Sequence, residues 1–203
     1  MKRHLLAAGC AALALAACQK QAASSSDQAA ASSAASDTAA VAGSSAAAAS
    51  SATPAVASAP AAPDFVAMAA ASDMFEIQAA KIAQKRSKNA DVKAFAKMMV
   101  ADHTKSTAMI KKAVADSGKD IKPPAALPDD KAALIDALNK ASDADFDKTY
   151  VDQQVKAHQD ALMLMTSYSM SGDTPALKDA AGMITPVVQM HLDKIMSIQA
   201  SLK

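Results

Sequence analysis

The sequence predicts an all-α protein, a four-helix bundle with one short extra helix in its long middle connection. Three observations carry that prediction. Four long stretches repeat apolar residues at alternating spacings of three and four, the period of a helix that buries one face. Past residue 63 the glycines are Gly118, Gly172 and Gly182, and the chain has no tryptophan, so strands joined by tight hairpins have no support. The connections are short between the first and second long helices and between the third and fourth, and long in the middle, where prolines cluster.

The first helix is expected to begin after Pro63-Asp64 and run to about Arg86. Its inward stripe is Phe65, Met68, Ser72, Phe75, Ala79 and Ile82, with Glu76 at the border. The second starts near Asn89, whose side chain suits an N-cap, with Asp91 in the first turn, and stops at Gly118. Val92, Ala96, Met99, His103, Thr107, Ile110 and Val114 form its seam, with His103 at the centre. Lys119 to Pro128 is a proline-marked connection, and a short helix around Asp130 to Lys140 carries Leu134, Ile135 and Leu138. Ser142 and Asp145 resemble a capping box opening the third long helix, which extends to about Met170. Its broad inner face includes Phe146, Tyr150, Gln153, Ala157, Ala161, Leu164 and Tyr168, flanked by Val151, Gln154, His158, Leu162 and Met165. Thr174-Pro175 opens the last helix, where Leu177, Ala181, Ile184, Val188, His191, Ile195, Ile198 and Leu202 face inward. Pro186 lies inside that helix and is expected to kink it, with Gly182 four residues back relieving part of the crowding.

Ahead of the bundle lie two segments of different character. Residues 1–17 have a basic start (Lys2, Arg3), an apolar run from Leu5 and small residues at the end, the layout of a secretory signal peptide. Leu15-Ala16-Ala17-Cys18 resembles the bacterial lipobox, so Cys18 is expected to be acylated and to become the first residue of the mature chain. Several acyl chains on one cysteine make such anchoring stable. Cys10 falls inside the removed segment, which leaves one cysteine and no internal disulfide. Gln19, rather than an aspartate, after the cysteine points to the outer membrane over the inner one. Residues 18–63 form an Ala- and Ser-rich tether with no aromatic residue, too poor in large apolar side chains to build a core. Residues 64–203 are the bundle domain. Because Lys2, Arg3, Lys20, Asp27 and Asp37 lie before it, the chain's 21 basic and 20 acidic residues leave the domain neutral. Neutrality argues against nucleic acid as a partner, and the membrane is expected to be met through the lipid at Cys18.

The candidate chemistry is a polar layer. His103, His158 and His191 each fall on or beside the apolar stripe of their helix, and Glu76 does so on a fourth. Counting residues from the helix ends brings Glu76 and His103 to one level, with His191 about one turn out of step with His158. Two readings compete. In the first, the imidazoles belong to a buried hydrogen-bond network with Glu76, Gln154, Tyr150 or Asp102, and Asp147 and Tyr150 are supporting polar groups near a helix start. In the second, the three histidines and Glu76 hold one transition-metal ion, because neutral imidazole suits zinc, copper and iron and bundle cores host such sites. A di-iron centre is not expected: the residues three before His103, His158 and His191 are all valine, where a paired Glu-x-x-His pattern needs glutamate. Met99 and Met165 stand near the layer, where a thioether could favour copper(I), but methionine also fills cores poor in aromatic residues.

The stretches Phe95-Ala96-Lys97-Met98-Met99-Val100-Ala101-Asp102-His103, Phe146-Asp147-x-x-Tyr150-x-x-x-Gln154-x-x-x-His158 and Pro186-x-x-x-x-His191 resemble the bacterial envelope family known as domain of unknown function 4142, over about residues 64 to 200. The resemblance implies a ferritin-like bundle in an envelope setting; it implies no reaction. Glu76, His103, His158 and His191 match the pattern of that family. No Ser-His-Asp or Cys-His arrangement, phosphate-cradling loop or paired-carboxylate signature is present, so no catalytic residue is assigned. The leading expectation is a lipid-anchored envelope domain of binding or envelope-stress type, and the alternative is a metal-binding protein using the histidine layer.

Overall fold

The computed structural model describes residues 58–202. The expected signal peptide, Cys18 and nearly all of the tether lie outside the described residues. The described chain is helical throughout, with no strand: α1 (Ala62–Arg86), α2 (Ala90–Ser117), α3 (Asp129–Lys140), α4 (Phe146–Ser171) and α5 (Pro175–Ser201). Among the described residues no helix is long and apolar enough to cross a membrane. The four long helices form a ring in which α1 packs on α2 and α4, and α5 packs on α4 and α2; α3 lies across α1 and α4.

The local stop and start signals act as the sequence implies. Asn89 Oδ1 accepts from the backbone N–H groups of Asp91 and Val92 at 2.8 and 3.2 Å, satisfying two donors that the first turn of α2 leaves free. Gly118 ends α2 at φ 66°, a left-handed conformation that costs glycine little. Ser142 Oγ accepts from Asp145 N at 3.2 Å, but a turn follows and α4 begins only at Phe146, slightly later than the capping box predicts. Arg86, at the end of α1, donates to the carbonyls of Leu138 and Ala141 at 2.6 Å each. It thereby satisfies the open C-terminus of α3, and its guanidinium lies 4.6 Å from the Phe146 ring centre. The α5 helix continues through Pro186. Gly182, whose carbonyl loses its donor to that proline, is exposed and open to solvent.

Packing divides the core in two. One apolar cluster holds Phe75, Phe95, Phe146, Leu138 and Ile195 near the α3 end. The other holds Phe65, Ile110, Tyr168, Leu177 and Ile184 at the opposite end, with the Phe65 and Tyr168 rings stacked 3.8 Å apart. Each fully buried large side chain contributes about 1.5–3 kcal/mol by leaving water. Between the two clusters runs a polar layer.

One expected stripe is rotated. On α1 the buried seam is Val66, Ala69, Asp73, Glu76, Ala80 and Ala83, flanked by Phe65, Phe75 and Ala79. Met68, expected inside, is 52% exposed, and Ser72 and Ile82 are half-buried. In this alanine-rich helix, methionine and isoleucine suggest a face by their size, but the two carboxylates take the centre because the polar layer of the other helices lies opposite them.

Candidate metal centre

Four helices each bring one part of the layer. Asp73 and Glu76 lie one turn apart on α1, His103 on α2, His158 on α4 and His191 on α5, and all five are buried. The three imidazole ring centres stand 5.7 Å (His103–His158), 5.5 Å (His103–His191) and 5.5 Å (His158–His191) apart. The ring of Phe95 closes one side, edge-on to His158 and His191 at 6.0 and 6.2 Å. The one-turn offset between His158 and His191 inferred from counting is thus absorbed by the packing.

Each histidine has one nitrogen tied to an oxygen acceptor and one that is not. His103 donates Nδ1–H to Asp73 Oδ1 at 2.8 Å, and Asp73 Oδ2 accepts from the Thr107 hydroxyl at 2.9 Å. His158 donates Nδ1–H to the backbone carbonyl of Gln154 at 2.8 Å. His191 Nε2 faces Asp102 Oδ2 at 3.2 Å, and Asp102 also pairs with Lys105 at 2.9 Å. The remaining ring nitrogens, His103 Nε2, His158 Nε2 and His191 Nδ1, are buried without a hydrogen-bond partner. The three histidines each present a ligand nitrogen within 4.8 Å of the others.

Glu76 sits against this group. Its Oε2 is 2.8 Å from His103 Nδ1 and its Oε1 3.7 Å from His158 Nδ1. The His103 N–H points at Asp73, so Glu76 lies off its line, and both Glu76 oxygens remain without a directed hydrogen bond. The phenol of Tyr150 and the side-chain amide of Gln154 are likewise buried and unpartnered. Asp147 is half-buried, with an unpartnered Oδ1, and hydrogen-bonds none of the histidines.

Electrostatics follows the same division. Burial works to lower the pKa of His103, but the charge of Glu76 and the bond to Asp73 outweigh it and push it up to about 10. Burial works to raise the Glu76 carboxyl, yet the charges of His103 and then His158 hold it below the usual range. For Asp73, burial wins over His103 and Thr107 and the carboxyl is raised. Burial pushes His158 down, with Glu76 offsetting only part of it. Burial and the neighbouring His103 charge push His191 down to about 4 against the pull of Asp102. Burial, then Glu76, raises the Tyr150 phenol. At neutral pH, therefore, His158 and His191 are neutral electron-pair donors, while the two carboxylates keep His103 protonated in the metal-free chain, so a metal ion taken by that ring would displace a proton.

Of the residues singled out in the sequence, Glu76, His103, His158 and His191 come together, Asp102 and the Gln154 backbone orient two of the rings, and Tyr150 lines the layer. Asp73 is the functional residue that the sequence reading missed. Its signal is its place three residues before Glu76, on the same face of a helix.

The fold and the layer define an all-helical bundle with a buried three-histidine, two-carboxylate cluster at mid-height. The chain belongs to the family described as Domain of unknown function (DUF4142), whose model matches residues 45–198. Two solved structures of CopM, one Cu(I)-bound and one Cu(II)-bound, share the fold with TM-scores of 0.58 each, at 16% and 18% identity. They match over 70% and 71% of this chain and 97% and 100% of theirs. A DUF305 fragment from Deinococcus radiodurans gives a TM-score of 0.61 at 13% identity, over 71% of this chain and 99% of the fragment. At these identities the likeness is one of fold. No curated protein matches the sequence.

Proposed function

We propose that this protein is a metal-binding domain of the bacterial envelope, holding one transition-metal ion between His103, His158 and His191, with Glu76 as the carboxylate beside it. The observation that carries the reading is three buried histidines whose ligand nitrogens lie within 4.8 Å of one another, each ring with one nitrogen that has no hydrogen-bond partner. A pure hydrogen-bond network would use those nitrogens, because a buried polar atom left unpaired costs about 1–3 kcal/mol. Here each histidine instead spends one nitrogen on an oxygen acceptor that fixes the ring and leaves the other free, the usual arrangement around metal-ligating histidines. Spacing supports the same reading. With a metal–nitrogen bond of about 2.0–2.1 Å and about 1.2 Å from ring nitrogen to ring centre, three imidazoles arranged trigonally have centres about 5.6 Å apart. The centres here are 5.5–5.7 Å apart.

Imidazole with carboxylate suits copper, zinc and iron. Copper is the first ion to test, since the CopM structures that share the fold are copper-bound. The ion would supply a Lewis-acidic or redox-active centre; the histidines of this chain would bind it, Asp73, the Gln154 carbonyl and Asp102 orient their rings, and Phe95 excludes water from one side. The lipobox ending at Cys18 supports lipid anchoring facing the periplasm, and Gln19 supports the outer membrane. The test is metal content after the purified full-length chain is incubated with Cu(II), Zn(II) or Fe(II) and desalted. One ion per chain is expected in the wild type, with loss in His191→Ala; retention of none of the three ions by the wild type overturns the reading.

A further inference from the structure

The cluster is buried, so an ion must have a way in. A cavity of 270 Å³ lies between α1 and α2, lined by Val66, Ala70, Asp73, Thr107, Lys111 and Ile121 among others. Lys111 and Pro123, which also lines it, are exposed, so the cavity opens to solvent at that end. At the other end stands Asp73, the residue whose carboxylate also touches His103 at 2.8 Å. Asp73, Glu76 and His103 form a second group of donors whose ligand atoms lie within 4.8 Å of one another. A chain of oxygens therefore runs from the cavity to the rings: Asp73 lining the cavity, then Glu76, whose two unpartnered oxygens lie beside Nδ1 of His103 and Nδ1 of His158.

We propose that this cavity is the path by which a metal cation enters and leaves the three-histidine site, with Asp73 taking the ion from the cavity and Glu76 passing it to the imidazoles. The inference rests on the metal-binding reading above. The other carboxylate near solvent, Asp102, is a poorer gate: it is paired with Lys105 and its other oxygen is already engaged by His191 Nε2. Apart from Asp73, Thr107 and Lys111 the cavity walls are apolar, so a partly hydrated ion moving along them meets few competing ligands before the carboxylates.

A path differs from a ligand shell in what it controls. Narrowing a path raises the barrier equally in both directions and leaves the equilibrium unchanged; altering a ligand changes the equilibrium. The experiment follows Cu(II) binding to the full-length chain by stopped-flow absorbance, and its release by displacement with excess EDTA. Ala70→Phe fills the cavity from a half-buried position one turn before Asp73 and replaces none of the histidines or carboxylates of the cluster. It is expected to slow association and release by the same factor, at least about tenfold, with Kd unchanged. Lys111→Glu reverses the charge at the mouth. It is expected to speed Cu(II) association by about three- to tenfold at low ionic strength, an advantage that shrinks as salt screens it. Lys97→Glu, the same charge change at an exposed position of α2 away from the cavity, is the control and is expected to alter the rate much less. Unchanged rates in Ala70→Phe, or equal acceleration by Lys111→Glu and Lys97→Glu, overturn the path while leaving the site intact. A wild type that binds no Cu(II) instead removes the metal-binding reading, and the path falls with it.

Discussion

Removing His191 is the cleanest single test of whether the layer binds metal, for a reason the structure supplies. Truncating His103 would strand Asp73 and Glu76, two buried carboxylates, and the folding penalty would obscure any loss of affinity. His191 instead faces Asp102, whose side chain is 20% exposed and keeps its pairing with Lys105, so His191→Ala leaves no stranded buried charge. An ion that binds only the folded state, present at about 100 times its Kd, adds about 2.7 kcal/mol of stability. For about 145 ordered residues, with an unfolding entropy of about 2.1 cal/mol/K per residue, that gain raises Tm by about 9 °C. If losing one of three nitrogens weakens binding about 100-fold, the same concentration adds only about 0.4 kcal/mol, or roughly 1 °C. The assay is a thermal melt by circular dichroism with Cu(II) and then with excess EDTA, on both proteins. A shift in His191→Ala as large as in the wild type, both reversed by EDTA, would place the ion elsewhere on the chain and refute the assignment.

Further outcomes follow from the same geometry. His103→Ala is expected to destabilise the metal-free chain by about 3–5 kcal/mol in urea unfolding, and the double change Asp73→Asn with Glu76→Gln in that background to recover much of the loss, because it removes the stranded charges; no recovery would count against the ion-pair account. His103, held at about 10 in the fold against 6.5 in the unfolded chain, binds an extra proton between those values. Its contribution is complete below pH 6.5, and the urea stability of the metal-free protein should fall as pH rises from there toward 10, a slope that His103→Gln should flatten. Ile110→Asp, at a position 4% exposed, should lower stability by about 3 kcal/mol or more, whereas Lys111→Asp on the outer face should leave the melt nearly unchanged; matching losses would contradict the α2 seam. Cys18→Ser should move the protein from the membrane to the soluble fraction of cells, and a variant still membrane-bound after a high-salt wash would exclude the lipid anchor.

The bundle could be read from the sequence because its signals are local and redundant. Asn89 and Gly118 bracket α2 by backbone chemistry that acts within a few residues, and the seam from Val92 to Ile110 needs only the helical period to be seen. The histidines were legible for the same reason: on α2 and α5 they occupy seam positions outright. The Met68 expectation shows where this reasoning weakens. In α1, with alanine at so many positions, several faces are almost equally apolar, and the choice among them is made by what the neighbouring helices present. That information is tertiary.

Asp73 was missed by the same mechanism, and its case shows why spacing alone left two readings of the layer open. Helical periodicity says that an imidazole points inward; it does not say which of its nitrogens meets which acceptor. That depends on ring rotation and on offsets of a few tenths of a helical turn, set by packing on both sides of the layer. The decision between network and metal site turns on this detail. Had Glu76 and the Tyr150 phenol met His103 Nε2 and His158 Nε2 directly, the layer would be a closed network. Instead Asp73, the Gln154 carbonyl and Asp102 each take one nitrogen of a ring, and the other nitrogen of each is left buried without a partner. The acceptors that hold the rings from behind therefore determine what the rings can do in front, and they are the residues on which a change of chemistry, rather than of fold, would act.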